Sequence, residues 1–123
     1  MTTYGKVWGK TAPVFAGNNV EVHRIEARSG MQCSKHVHRH KCNLFFVERG
    51  CLRVTVWKNA YALADVTQLQ AGESTIVPPG EYHRFRAISD VVAYEVYWTE
   101  LDPQDIERDD VGGEAKEGES DGD

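Results

Sequence analysis

The chain reads as an all-β protein: a single-domain jelly-roll β-barrel with a short C-terminal helix. Three observations carry that expectation. Short runs rich in β-branched and aromatic residues follow one another, with Gly, Pro and Asn turn signals between them. No helix-period segment precedes residue 102. A chain of 123 residues is enough for one hydrophobic core and too short for two.

In order, "VFAGNNVEVHRIEARSG" predicts two strands around the turn Ala16-Gly17-Asn18-Asn19, ending at Ser29-Gly30. "CSKHVHRH" and "LFFVERG" follow as strands, then "CLRVTVW" and a looser stretch, "KNAYALADVTQLQAGE". "STIVPPG", "YHRFRAI" and "VVAYEVYWTE" complete the set of about eight strands. "LDPQDIERDD" then offers Asp102 as an N-cap and Pro103 at the first helical position. The domain is expected over residues 1–110, with residues 111–123 as an acidic tail. Its last twelve residues, "GGEAKEGESDGD", carry five acids, one lysine and no large apolar side chain, the composition of a disordered segment.

Fourteen basic residues stand against 19 acidic ones, a net charge of −5. That balance argues against nucleic acid or an anionic membrane as partner. No apolar run reaches the ~18 residues of a membrane span or the length of a signal-peptide core. Three cysteines, Cys33, Cys42 and Cys51, with no export signal predict free thiols and a cytoplasmic protein.

Three of the five histidines, His36, His38 and His40, occupy alternate positions in "KHVHRHKCN". Side chains in a strand alternate faces, so these imidazoles share one; on a helix, positions two apart diverge. A shared imidazole face suits either a metal or a solvated polar surface. A second signal lies forty residues on, where "VPPGEYHRF" puts His83 three residues after the glycine of a rigid Pro78-Pro79-Gly80 turn.

Together the two segments run Gly30, five residues, His36-Val37-His38, then Gly50; and Gly72, five residues, Pro78-Pro79-Gly80, two residues, His83. This resembles the two-part signature of the cupin superfamily, small jelly-roll barrels that hold a metal in the mouth. The resemblance implies His36, His38 and His83 as ligands of a divalent transition metal such as zinc, manganese, iron or nickel. Cupins usually add a glutamate shortly after the second histidine; Asn43 stands there, so Asn43, His40 or water completes the shell. Imidazoles alone do not select among these metals.

Further stretches are similar to the C-terminal cupin domain of type II mannose-6-phosphate isomerases: "WG" at Trp8-Gly9, "VHRIEARSG", "IVPPGEYHR", "YEVYW" and "DIERDDVGG", over residues 6 to 113. That likeness implies aldose–ketose isomerisation of a sugar phosphate, with Glu95 as the base and Arg84 as a phosphate contact beside Arg39 and Lys41. Strand alternation, however, aims Arg84 away from the face of His83. The chain departs from that pattern at His36, where the family has glutamine, at Asn43, and at Gly113, where it has arginine.

Two other readings remain open. Three histidines without a carboxylate resemble the iron site of cupin thiol dioxygenases; the sequence does not place the substrate-gripping arginine such an enzyme needs, Arg53 on "CLRVTVW" being the candidate to face inward. Alternatively the protein binds a sugar or metabolite without turnover, with Phe45, Phe46, Tyr94, Tyr97 and Trp98 either lining a cavity or forming core. Cupins commonly form homodimers through N-terminal strands, and "TYGKVWGKTAPVF" is apolar enough for an interface or for an intramolecular cap.

Overall fold

The computed structural model describes residues 2–58, 63–100, 103–115 and 118. Nine strands follow one another: β1 (Tyr4–Lys6), β2 (Gly9–Ala16), β3 (Val20–Ala27), β4 (Cys42–Arg49), β5 (Leu52–Trp57), β6 (Ala64–Leu69), β7 (Ser74–Val77), β8 (Tyr82–Ala87) and β9 (Val91–Trp98). They form a six-stranded sheet in the order β1-β2-β3-β9-β4-β7 and a three-stranded sheet in the order β6-β5-β8. Every pairing between these strands is antiparallel.

Alternation builds the core. Ile25 and Ala27 on β3, Phe45 and Val47 on β4, and Ala93 on β9 turn inward from the larger sheet. Leu52 and Val54 on β5 and Phe85 and Ala87 on β8 meet them from the smaller one. Phe45 and Leu52 are 0% exposed, so the space between the sheets is dry and filled at its centre. Trp8 closes one side, its ring edge-on to Phe85 at 4.8 Å and 84°. Gly50 makes the β4–β5 turn at φ +87°, and a Cβ there would stand 2.1 Å from the Asp90 carbonyl oxygen. Only glycine fits.

Three expectations are corrected. The two sheets stay open rather than closing into a barrel. "CSKHVHRH" is not a regular strand: it pairs with β8 through the isolated His36–His83 bridge and a Cys33 N–H to Phe85 carbonyl bond at 3.1 Å, with Gln32 bridging Arg86 just before it. Because it pairs with β8 only intermittently on its way from β3 to β4, no continuous ladder joins the sheets. The C-terminal helix is absent among the described residues; Asp102 lies outside them, and Pro103 and Gln104 form a turn. Residues 103–115 are exposed throughout, and a single short helix with no packed face is marginal in water. Residues 116–117 and 119–123 of the acidic tail also lie outside the described set. Among the described residues no helix is long and apolar enough to cross a membrane.

Candidate metal centre

The histidines are brought together by backbone pairing. The His36 N–H donates to the His83 carbonyl at 3.0 Å, and the His83 N–H returns the bond to His36 at 2.8 Å. In such a reciprocal antiparallel pair the two side chains leave the same face. The Gly80 N–H donates to the His38 carbonyl at 2.9 Å, tying the Pro-Pro-Gly turn to the second histidine. Gly80 has φ +85°, a conformation the turn requires and glycine supplies. Ring centroids then lie 4.5 Å apart for His36 and His83, 5.0 Å for His36 and His38, and 5.4 Å for His38 and His83. One nitrogen from each lies within 4.8 Å of the others.

Hydrogen bonds set the tautomers. His36 Nδ1 lies 2.7 Å from the Ser34 carbonyl oxygen, and His83 Nδ1 lies 3.0 Å from that of Glu81. A carbonyl only accepts, so Nδ1 carries the proton and Nε2 keeps a bare lone pair. The Nε2 atoms of His38 and His83 are buried with no hydrogen-bond partner. Orphaned buried acceptors are costly unless something electropositive meets them. Burial, reinforced by His36, His83 and Lys41, pushes the His38 pKa down to about 4, and burial lowers that of His83 as well. Both rings are therefore neutral near pH 7, the state a metal needs. The His36–His38–His83 cluster is a site capable of coordinating a divalent transition metal.

The other predicted residues divide sharply. Asn43 is 1% exposed, sits on the inward face of β4 and leaves Oδ1 without a partner. His40 is exposed and is not part of the cluster. Glu95, opposite Phe45 in the β4–β9 register, points into the sandwich and accepts a hydrogen bond from the Tyr97 hydroxyl. Burial raises its pKa, opposed by the Tyr97 bond and by His36, His23 and Lys6. Arg84 alternates with the buried His83 and Phe85; its Nε donates to the Cys33 carbonyl at 3.1 Å, on the outer side of β8. Arg53 likewise turns outward and bonds Gln68 at 3.3 Å, correcting the expectation that it faces inward. The three cysteines are free and buried, and Cys42 pairs with Glu100 at 3.8 Å rather than with the histidines.

A pocket of about 690 Å³ opens beside the histidines, lined by His23, Glu95 and Tyr97 with Trp8, Cys33 and Phe85. Tyr97 joins pocket to cluster, its ring 5.2 Å from that of His38. Sequence reasoning offered Tyr97 only as one of five aromatic residues lining a cavity or forming core, and assigned no role to His23. Tyr97 was within reach, because it stands two residues from Glu95 and so shares its face; His23 became visible only through its register opposite Glu95. Lys41 Nζ lies 4.8 Å from the Tyr97 ring, while Lys35 Nζ, 4.1 Å from Trp57, and Arg39, 5.9 Å from Tyr82, stack on outward-facing rings of β5 and β8. Cation–π contacts hold all three charges in place, and only that of Lys41 stands beside the histidines.

A family model described as Cupin domain matches residues 23–100, more than half of the chain. No curated protein matches the sequence. Solved structures with the same fold include KdgF from Halomonas sp., 13% identical with a TM-score of 0.70, the match covering 82% of this chain and 90% of that one. The cupin domain of Schizosaccharomyces pombe Cnp3 is 19% identical at a TM-score of 0.69, covering 81% and 69%. Oxalate decarboxylase from Bacillus subtilis, described with Mn(II) centres, is 15% identical at a TM-score of 0.72. That match covers 80% of this chain but only 27% of the decarboxylase.

Proposed function

This chain belongs to the cupin family, and from that premise we propose that it is a metal-dependent cupin acting on a small anionic, oxygen-rich substrate, with Glu95 as proton carrier. The observation that carries the reading is the His36–His38–His83 cluster standing beside a pocket lined by Glu95 and by Tyr97, whose ring reaches His38. A divalent metal held by His36, His38 and His83, with Asn43 as the fourth donor, would act as a Lewis acid on a substrate oxygen. None of these donors carries a negative charge, so the site favours an anionic ligand. Lys41, held against the Tyr97 ring beside His38, adds positive charge near the site and draws in the same class of molecule.

Glu95 then supplies acid–base capacity. A carboxyl group raised toward neutrality by burial exchanges protons at working pH far better than an exposed one. Tyr97 orients it by donating to one oxygen. Moving a proton between neighbouring carbons of a carbonyl substrate needs no more than this pair beside a polarised oxygen. Aldose–ketose isomerisation of a sugar phosphate such as mannose 6-phosphate is the specific form of that reaction we propose to test first. The oxygenase reading fares worse because Arg53, its candidate substrate anchor, faces away from the pocket. Binding without turnover is the second reading, favoured by Asn43 in place of a carboxylate ligand.

Elemental analysis of untagged protein should find about one transition-metal ion per chain, lost in His36→Ala. Metal-loaded protein with mannose 6-phosphate, followed by NMR, should form fructose 6-phosphate. Glu95→Gln should keep the metal and lose on the order of 10²–10⁴-fold in rate. Tight sugar-phosphate binding by calorimetry with no product would establish the second reading. Iron-dependent oxygen uptake with a thiol would overturn both.

A further inference from the structure

We propose that the groove under the β1–β2 turn, at the end of the sandwich away from the histidines, is a second ligand site, for a small molecule with an apolar body and an anionic group. Strand register builds it. Lys10 on β2, Glu26 on β3, Val92 on β9 and Arg49 on β4 lie side by side in one row across four strands. Regular pairing would set Glu48 opposite Val92, but a bulge between Val47 and Arg49 puts the arginine there instead. The displaced Glu48 accepts the Tyr94 hydroxyl at 3.0 Å.

The groove is concave, about 780 Å³ in volume, and Lys6 and Arg28 add two more cations to its lining. Its floor is apolar: Val91 and Val92 are 3% and 6% exposed, and Trp8 walls one side. Gly9 pairs with Ala27 and lets the turn lie flat on β3, since a Cβ there would meet the Glu26 carbonyl oxygen at 2.0 Å.

Charge identifies the ligand class. Four cations line one groove of a chain whose net charge is −5. Among the described residues none of the four ion-pairs with a carboxylate. The two acids in the lining are already engaged: Glu26 pairs with Arg24 at 2.9 Å, and Asp90 accepts the Ser29 N–H at 2.9 Å. Unmatched cations over an apolar floor concentrate anions, and guanidinium groups take phosphate or carboxylate through paired N–H donors. A bare inorganic anion would leave the floor uncovered, so the ligand also carries a ring or hydrocarbon body.

This site is distinct from the metal pocket. Both touch Lys6, Val7 and Trp8, which partition them, but Glu95 and Tyr97 line only the one and Lys10, Arg49 and Val92 only the other. Val92 and Glu95 stand three residues apart on β9, ~10 Å along the strand and on opposite faces.

Amide NMR of the zinc-loaded full chain, titrated with phenyl phosphate, tests the proposal. Saturable shifts should centre on Lys10, Val92 and Arg49, with a Kd on the order of 1 mM. His36→Ala should show the same shifts, so the result stands apart from the metal reading. Lys10→Gln combined with Arg49→Gln should raise that Kd at least ~10-fold. The double variant should keep wild-type metal content, because both side chains are exposed and far from the histidines. Phenol, a ring without charge, and inorganic phosphate, a charge without a ring, should each bind more weakly. The tighter of phenyl phosphate and benzoate identifies the anionic group. Shifts centred on Glu95 and Tyr97, inorganic phosphate binding as tightly as phenyl phosphate, or an unchanged Kd in the double variant would each overturn the proposal. So would the absence of saturation up to ~10 mM.

Discussion

The two ends of the sandwich are built from the same strands and differ in what those strands bury. Along β8, His83, Phe85 and Ala87 share the inward face, and each is at most 1% exposed. At Phe85 the neighbours are hydrocarbon and ring edges: Phe45 at 6.0 Å and Trp8 at 4.8 Å. Two residues away, His83 is just as deeply buried, yet its Nε2 has no partner. One end is a solved packing problem; the other holds the His38 and His83 nitrogens and the Asn43 oxygen at a cost. Burying polar atoms this way opposes folding by about 1–3 kcal/mol for each unsatisfied group. What distinguishes the ends is therefore what they lack: an ion would satisfy one and nothing is missing from the other.

Substitutions in adjacent inward positions of β8 should separate those roles. His83→Ala should lower metal content from about one ion per chain to near zero by elemental analysis. Relieved of an orphan nitrogen, the metal-free fold should stay close to wild-type stability. Phe85→Ala should do the reverse, costing about 3–5 kcal/mol in denaturant unfolding while the folded fraction still binds metal. Equal loss of stability in both variants would erase the contrast.

pH sharpens it next. His38 titrates near 4 in the folded metal-free chain and near 6.5 when unfolded, and His83 is shifted in the same direction. Between those values the unfolded chain binds protons that the folded chain does not. Metal-free stability is therefore fully present above pH 6.5 and declines as pH falls toward 4. Glu95, raised by burial, has the opposite sign and offsets part of the decline, so the Glu95→Gln background isolates the imidazoles. Melting temperature against pH should fall across that window in this background, and zinc should restore it near neutrality. A flat profile would mean the histidines are solvated.

The smallest effect belongs to Arg84. Its bond to the Cys33 carbonyl anchors the histidine segment from outside the sandwich. Arg84→Gln should cost about 1 kcal/mol of stability and leave metal content and sugar-phosphate affinity unchanged. A large loss of affinity would return Arg84 to the site.

Much of this was legible before any coordinates. Turn residues and β-branched runs placed the strands over 20–27, 44–49, 52–57, 74–77, 82–87 and 91–98, because local propensity and turn chemistry are properties of neighbouring residues. His36, His38 and His83 were named through the resemblance to the two-part cupin signature, which the two-residue histidine repeat and the Pro-Pro-Gly turn carry. The extended segment around His36 misled, because alternation in sequence predicts a shared face but not a continuous ladder. Glu95 could not be placed by its own strand: β9 is apolar on both faces, so nothing nearby says which side is interior.

By itself the sequence determined the all-β class and the turns, consequences of contacts a few residues long, and through the cupin signature it named the three imidazoles. Only the tertiary structure decided that the sheets stay open and that Glu95 and Tyr97 face the histidines while Arg53 turns outward. It alone aligned Lys10, Glu26, Val92 and Arg49 into one row. Those outcomes depend on register between strands far apart in the chain, and a shift of one residue would turn every side chain of a strand to the other face.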